Sequence, residues 1–325
     1  MRTFAIILTV LFIQSSPFFA QQKRNHDGKI VLAQMNALPN DSDSASIQRT
    51  ISANISGLEI PKLAPNELVV KHAAYSLVYN ETHEQANWIA YELTEERTNN
   101  LYERTDKFLV DPLVTSGSAT DKDYEKSGYD RGHLAPAADM GWSEITVAES
   151  FYYSNMSPQE PSFNRGIWKK AEELVRNWAI EYKDLYIVTG PVLTEGLKTI
   201  GPNEVSVPEY YYKVILDYSQ PDVKGIGFIM SNAASQKDLR TFAVSIDSVE
   251  TFTGIDFFPL LPDNEEKIIE QTLCIDCWSW GKTTETSTEP KETVSVQCSA
   301  TTQSNTRCKR MTKSQNGLCS QHGGN

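Results

Sequence analysis

The chain has 325 residues, of which 40% are hydrophobic and 10% aromatic, enough for one large domain with a sizeable core and appendages. Its formal net charge is −12. That balance argues against a broad polyanion-binding surface, so a nucleic-acid partner would have to be met by a local cluster of cations.

The N-terminus reads MRTFAIILTVLFIQSSPFFA: Arg2, an apolar run from Phe4 to Ile13, a polar break, then Ala20. This pattern predicts a secretory signal peptide over residues 1–20 and a secreted or periplasmic protein. The run is too short for a comfortable membrane span, and no later segment is long and apolar enough to be one. Residues 21–58 are rich in Ser, Asn and Asp and read as a flexible lead-in. Ordered structure is expected over 59–280. Tyr75–Tyr79 and Ala86–Leu93 are β-rich runs joined by NETHE, a hairpin pattern. Residues 164–182 place Ile167, Ala171, Leu174, Val175 and Trp178 at helical spacing. DLYIVTGPVL (184–193) reads as a buried strand ended by Gly-Pro. EYYYKVILDYS (209–219) and KGIGFIMSN (224–232) form a second hairpin pattern. Strands dominate and do not alternate with helices as βαβ units, which predicts an α+β fold on a largely antiparallel sheet. A Thr/Glu/Pro-rich linker follows over 281–296, then a small Cys/His module over 297–325.

The chemistry concentrates in two stretches. In YDRGHLAPAADM (129–140), His133 is a base that titrates near neutrality. Arg131 is a planar cation suited to phosphate oxygens, and Gly132 permits an unusual backbone angle or the close approach of a ligand. A structural histidine in a salt-bridged turn is the bland alternative. In NMSPQEPSFNRGIWKKAEEL (155–174), Asn155 and Gln159 fall in a Pro-rich loop and Asn164 opens the helix. Asn164, Trp168 and Glu172 step by four, which puts them on one flank. An amide oxygen and a carboxylate so placed can share a hard cation such as Mg²⁺, which keeps several waters. Taken singly, Asn164 is equally a helix cap and Glu172 a solvated face. Lys122, Lys126, Arg131, Arg165, Lys169 and Lys170 gather around these stretches and supply the local cations that the net charge lacks.

DRGH followed by N…Q…N…W…E resembles the DNA/RNA non-specific endonuclease family, a group of ββα-metal nucleases. The likeness runs from about residue 70 to about residue 272 and includes WIAYELT, RTDKFLVDP, LYIVTGPV and FAVSIDSVETFTGIDFFPLLP. The resemblance implies a ββα-metal core on a mainly antiparallel sheet flanked by helices. It implies His133 as the general base, Asn164 as the direct Mg²⁺ ligand, and Glu172 as the residue orienting metal-bound water. Arg131 becomes a clamp on the phosphate, with Arg104 and Asn155 as further substrate-binding residues. It also implies Mg²⁺ dependence with Mn²⁺ as a substitute, DNA and/or RNA as substrate, 5′-phosphate products, and a homodimer. A base with the ordinary histidine pKa predicts activity that falls below about pH 6. The rival functions are a non-catalytic nucleic-acid-binding protein on a nuclease scaffold and a phosphomonoesterase.

Five cysteines remain. Cys274 and Cys277 are spaced for a local disulfide. Cys298, Cys308, Cys319 and His322 give C-x9-C-x10-C-x2-H, which resembles small CCCH-type zinc modules and implies a structural Zn²⁺. Disulfide pairing is the competing reading in an exported chain. Arg307, Lys309, Arg310 and Lys313 make this tail basic.

Overall fold

The structure, a computed structural model, describes residues 55–220, 222–281, 296–302, 306–312 and 317–322. The expected signal peptide, nearly all of the lead-in and nearly all of the linker lie outside the described residues. The chain divides into two compact units, Met1–Ser279 and Trp280–Asn325.

The first unit is built on seven antiparallel strands. In chain order they are β1 (Val69–Lys71), β2 (Ser76–Asn80), β3 (Gln85–Thr94), β6 (Asp184–Pro191), β9 (Tyr210–Asp217), β10 (Lys224–Ser231) and β11 (Ala243–Val244), and they lie side by side in that same order. Two further pairs stand apart from the sheet: β4 (Asp130–His133) with β5 (Met156–Gln159), and β7 (Thr199–Ile200) with β8 (Val205–Ser206). The helices are α1 (Asp121–Tyr124), α2 (Ala137–Met140), α3 (Glu144–Glu149), α4 (Lys169–Tyr182), α5 (Ile246–Thr253) and α6 (Asp263–Gln271). Both expected hairpins form, as β2–β3 and β9–β10. Short turns between β-branched and aromatic runs favour such pairing.

The sheet is covered on both faces, so its central strands are buried along nearly their whole length. On one face Val78, Trp88, Val188, Tyr212, Val214 and Leu216 pack against Ile246 and Val249 of α5, Ile269 of α6, and Phe257 and Phe258 between those helices. Glycines set how closely α5 sits: a Cβ on Gly227 would meet Val249 at 2.4 Å, and one on Gly225 would meet Ile246 at 2.6 Å. The other face receives α4, whose Ala171, Leu174, Val175 and Trp178 are buried over β3 and β6. The β4–β5 ribbon and the helix that follows it form the ββα unit that carries the site.

In the second unit, β12 (Val296–Gln297) pairs with β13 (Met311–Thr312). Its buried centre consists of Cys298, Cys308 and Cys319, with Ala300 and Leu318 packed against them.

Candidate active site

β4 carries the DRGH tetrapeptide and pairs antiparallel with β5, placing Arg131 opposite Pro158, Gly132 opposite Ser157 and His133 opposite Met156. The expected Pro-rich loop is therefore largely a strand. Pro158 lacks an N–H, which a two-stranded ribbon tolerates where a central strand would not. The need for Gly132 also differs from the expectation. A Cβ there would fall 2.2 Å from the Gln159 side chain, so the glycine admits a neighbouring side chain rather than a ligand.

Asn155 does not line the site, which corrects its expected role in binding substrate. It is fully buried. Its Oδ1 accepts from the Ala135 N–H at 2.8 Å, and its Nδ2 donates to the carbonyls of Ala135 at 2.9 Å and Ser150 at 2.7 Å. With every group paired, it braces the chain just after His133. Next to it, Ser154 donates to Asp111, whose Oδ2 also lies 2.8 Å from His72 Nε2, a buried lock behind the ribbon.

The His133 ring stands edge-on to Phe151, centroids 4.9 Å apart, with Phe108 at 6.1 Å. Its Nε2 is buried and has no hydrogen-bond partner among the described residues. Burial among aromatic rings, followed by the charge of Arg104, pushes its pKa down to about 3, against a smaller opposing pull from Asp106. The imidazole is therefore neutral across the physiological range, with a nitrogen free to take a proton.

Arg131 is held on several sides. Its Nε donates to Tyr153 Oη at 3.1 Å and its guanidinium pairs with Asp121 at 2.8 Å. The cation lies over Phe108 at 5.2 Å and Tyr124 at 5.6 Å. Arg104 pairs with Asp106 at 2.6 Å and lies over Phe151 at 5.6 Å. Both forks are oriented before any anion arrives.

Asp130 organises the start of the helix. It accepts from Asn164 Nδ2 at 2.9 Å and from both sides of the Arg165 fork, at 2.8 and 2.6 Å. With its amide nitrogen engaged, Asn164 keeps Oδ1 without a hydrogen bond among the described residues. Residues Phe163–Trp168 form a π-helical turn, broken at Gly166 (φ −108°, ψ −108°), before α4 begins. Trp168 is fully buried instead of sharing an open flank with Asn164 and Glu172. Such turns recur at functional sites.

Glu172 makes no hydrogen bond among the described residues. Burial raises its pKa, opposed by Lys213 and Arg176 and reinforced by Asp139. Lys213 projects from β9 beneath it, fully buried, with Nζ 4.9 Å from the centroid of the Trp168 ring. Burial pulls the Lys213 pKa down, and Glu172 pulls it back up. Arg176 donates to Asp139 at 2.7 Å, and Asp139 accepts from Tyr91 Oη at 2.8 Å.

Arg104, Arg131, His133, Asn164 and Glu172 all line one cavity of about 350 Å³. Arg165, Lys169 and Arg176 line it too. Five cations thus line the cavity beside Glu172 and one neutral base, each with a carboxylate partner behind it: Asp106, Asp121, Asp130, Glu173 and Asp139. Asp130, Arg176 and Lys213 were missed as site residues by sequence reasoning. Asp130 lay inside the quoted motif, and Arg176 is one helical turn beyond Glu172, a spacing that could have flagged it. Nothing in the sequence marks Lys213 among apolar strand residues. Asn164 Oδ1 and the Glu172 carboxylate are oxygen donors with spare lone pairs on one cavity, which suits a hard cation.

Among the described residues of the second unit, one ligand atom each from Cys298, Cys308, Cys319 and His322 lies within 4.8 Å of the others. His322 Nδ1 is 3.5 Å from Cys298 Sγ and 3.3 Å from Cys319 Sγ. The three thiols are unpaired, whereas Cys274 and Cys277 form the expected local disulfide. No helix among the described residues is long and apolar enough to cross a membrane.

Comparison with known proteins agrees with this geometry. Residues 61–264 match the family described as DNA/RNA non-specific endonuclease. Mitochondrial nuclease EXOG of Danio rerio is 38% identical over 202 residues, covering 57% of this chain and 59% of the relative. A nuclease of Nostoc sp. is 34% identical over 255 residues, covering 75% of this chain and 92% of the relative. Human mitochondrial endonuclease G is 34% identical over 201 residues, covering 57% and 68%. Among solved structures, the EndoG/EndoGI complex superposes with a TM-score of 0.57 at 30% identity, over 63% of this chain and 89% of that one. A ββα unit on a mainly antiparallel sheet, with the motif residues gathered in one cavity and more than half the chain matched, places this protein in the DNA/RNA non-specific endonuclease family.

Proposed function

We propose that the chain hydrolyses internal phosphodiester bonds of DNA and RNA with little regard for sequence, leaving 5′-phosphate ends. The observation that carries this reading is the convergence of a neutral, unpartnered His133 with five cations on a single cavity. The His133 imidazole takes the proton from the attacking water. Arg131 and Arg104, already oriented by Asp121 and Asp106, hold the phosphate oxygens and offset the charge that develops on them. Contacts to the phosphate rather than to base edges carry no sequence information. Asn164 and Glu172 would hold Mg²⁺, with Mn²⁺ as a substitute, and Asp130 engages the Asn164 amide nitrogen, which leaves the oxygen available as a ligand. When bound, the ion supplies Lewis-acid stabilisation of the phosphate and the departing oxygen.

The reading extends to both ends of the chain. Cys298, Cys308, Cys319 and His322 hold a structural Zn²⁺, since three unpaired thiols and an imidazole at these separations suit tetrahedral coordination. With so small an apolar centre, the metal supplies much of that unit's folding energy. The protein is exported, a view supported by the apolar run Phe4–Ile13 and by the Cys274–Cys277 disulfide, which belongs in an oxidising compartment.

Plasmid nicking by the purified protein tests the activity. Nicking should require Mg²⁺, stop with EDTA, and fall by about 10²–10⁴-fold in His133→Ala. Retained nucleic-acid binding without any Mg²⁺-dependent nicking in the wild type would instead favour a non-catalytic binder. For the second unit, metal analysis should find one zinc per chain, lost in Cys308→Ser. A zinc-free wild type would remove that assignment.

A further inference from the structure

A second group of oxygen ligands lies away from the cavity, between α5 and α6. α5 presents Asp247 and Glu250 three residues apart on one flank, and the last turn of α6 brings Glu270 to them. One carboxylate oxygen from each lies within 4.8 Å of the other two. Glu270 is only 7% exposed, and its Oε1 is buried without a hydrogen-bond partner among the described residues. Glu250 uses Oε1 to accept the Phe257 N–H at 2.8 Å. The surroundings add charge of the same sign. Glu250, Glu266, Asp247 and Asp256 all bear on Glu270 with negative charge. The nearby Lys62 is engaged by Asp256 at 2.7 Å. A buried carboxylate with neither donor nor cation is costly.

We propose that Asp247, Glu250 and Glu270 form a binding site for a hard divalent cation of calcium's size, which ties α5 to α6 over the sheet. Carboxylate oxygens in a loose, partly open shell suit Ca²⁺, whose coordination is flexible, whereas Mg²⁺ demands near-ideal octahedral geometry and gives up its waters reluctantly. Asp247 and Glu250 are half-buried, so the open side admits the waters that complete a shell of about six to eight oxygens. Few protein ligands and an open side set the affinity at about 10⁻⁴–10⁻³ M.

Thermal unfolding of the full chain in CaCl₂ tests this. At ten times Kd the wild type should gain about 3–5 °C in Tm. Asp247→Asn, a half-buried site that leaves the core untouched, and Glu270→Gln should each lose that gain. Asn164→Ala, which disables the cavity instead, should keep it. The proposal is overturned if the wild type does not respond, if both carboxylate variants still respond, or if Asn164→Ala abolishes the response. A Glu270→Gln variant more stable than an unresponsive wild type would mean that a shared proton occupies the space. Should Glu270→Gln fail to fold, Asp247→Asn decides alone.

Discussion

His133 is the residue on which environment most changes expectation. Its ordinary pKa predicts activity that falls below about pH 6, but the aromatic walls and Arg104 carry the group down to about 3. The free enzyme therefore keeps its base unprotonated through mild acid. We expect no limb from His133 in kcat/KM between pH 8 and about pH 5, so any acid limb there belongs to Glu172, whose pKa is raised by burial. A limb near 6.5 that persists in Glu172→Gln would show the ring to be solvated. Stability follows the same sign. The unfolded chain takes up the proton at about 6.5 and the folded chain only near 3, so the ring's contribution is whole above 6.5 and is lost as pH falls through that window. Histidine identity was legible in the sequence. The two phenylalanines that retune it come from outside the tetrapeptide, and nothing in their spacing marks them as its neighbours.

At the scale of elements, the ribbon depends on a contact that only a glycine permits. Gly132→Ala would drive a methyl group into the Gln159 side chain. We expect a loss of about 1–3 kcal/mol, the usual penalty for overpacking. Denaturant melts would measure it, and an unchanged midpoint would mean that Gln159 moves aside freely. The same region marks where sequence reading reached and where it stopped. Hairpins and the α4 helix were legible because alternation and 3.6-residue spacing survive in a sequence. The π-turn was not, since Asn164, Trp168 and Glu172 fit the spacing of an uninterrupted helix. β5 was hidden by Pro158, which reads as a breaker unless its strand has a free edge. Asn155 looked like a ligand residue because asparagine serves both chemistry and bracing, and only its three backbone partners separate the two.

Over the whole molecule, charge is unevenly shared. The formal total is −12, yet the cavity gathers Arg104, Arg131, Arg165, Lys169 and Arg176, each beside an acidic partner that substrate phosphates would have to displace or share. Activity on long DNA should therefore fall steeply with added salt as phosphate contacts give up their counterion release. Measuring kcat/KM between about 50 and 200 mM NaCl checks this, and a flat response would mean that those cations stay engaged with Asp106, Asp121 and Asp130 rather than with substrate. Composition alone could not reveal the asymmetry, because a sum over the chain hides where the cations lie.

That gathering of cations at one hollow has a consequence for how the protein would travel along its substrate. Apart from the basic residues of the tail, an acidic body with its cations gathered at a cavity offers a polyanion little track on which to slide. Each cut would end in release and each new cut would begin from solution, so fragments of every length should accumulate together instead of one molecule being consumed before the next.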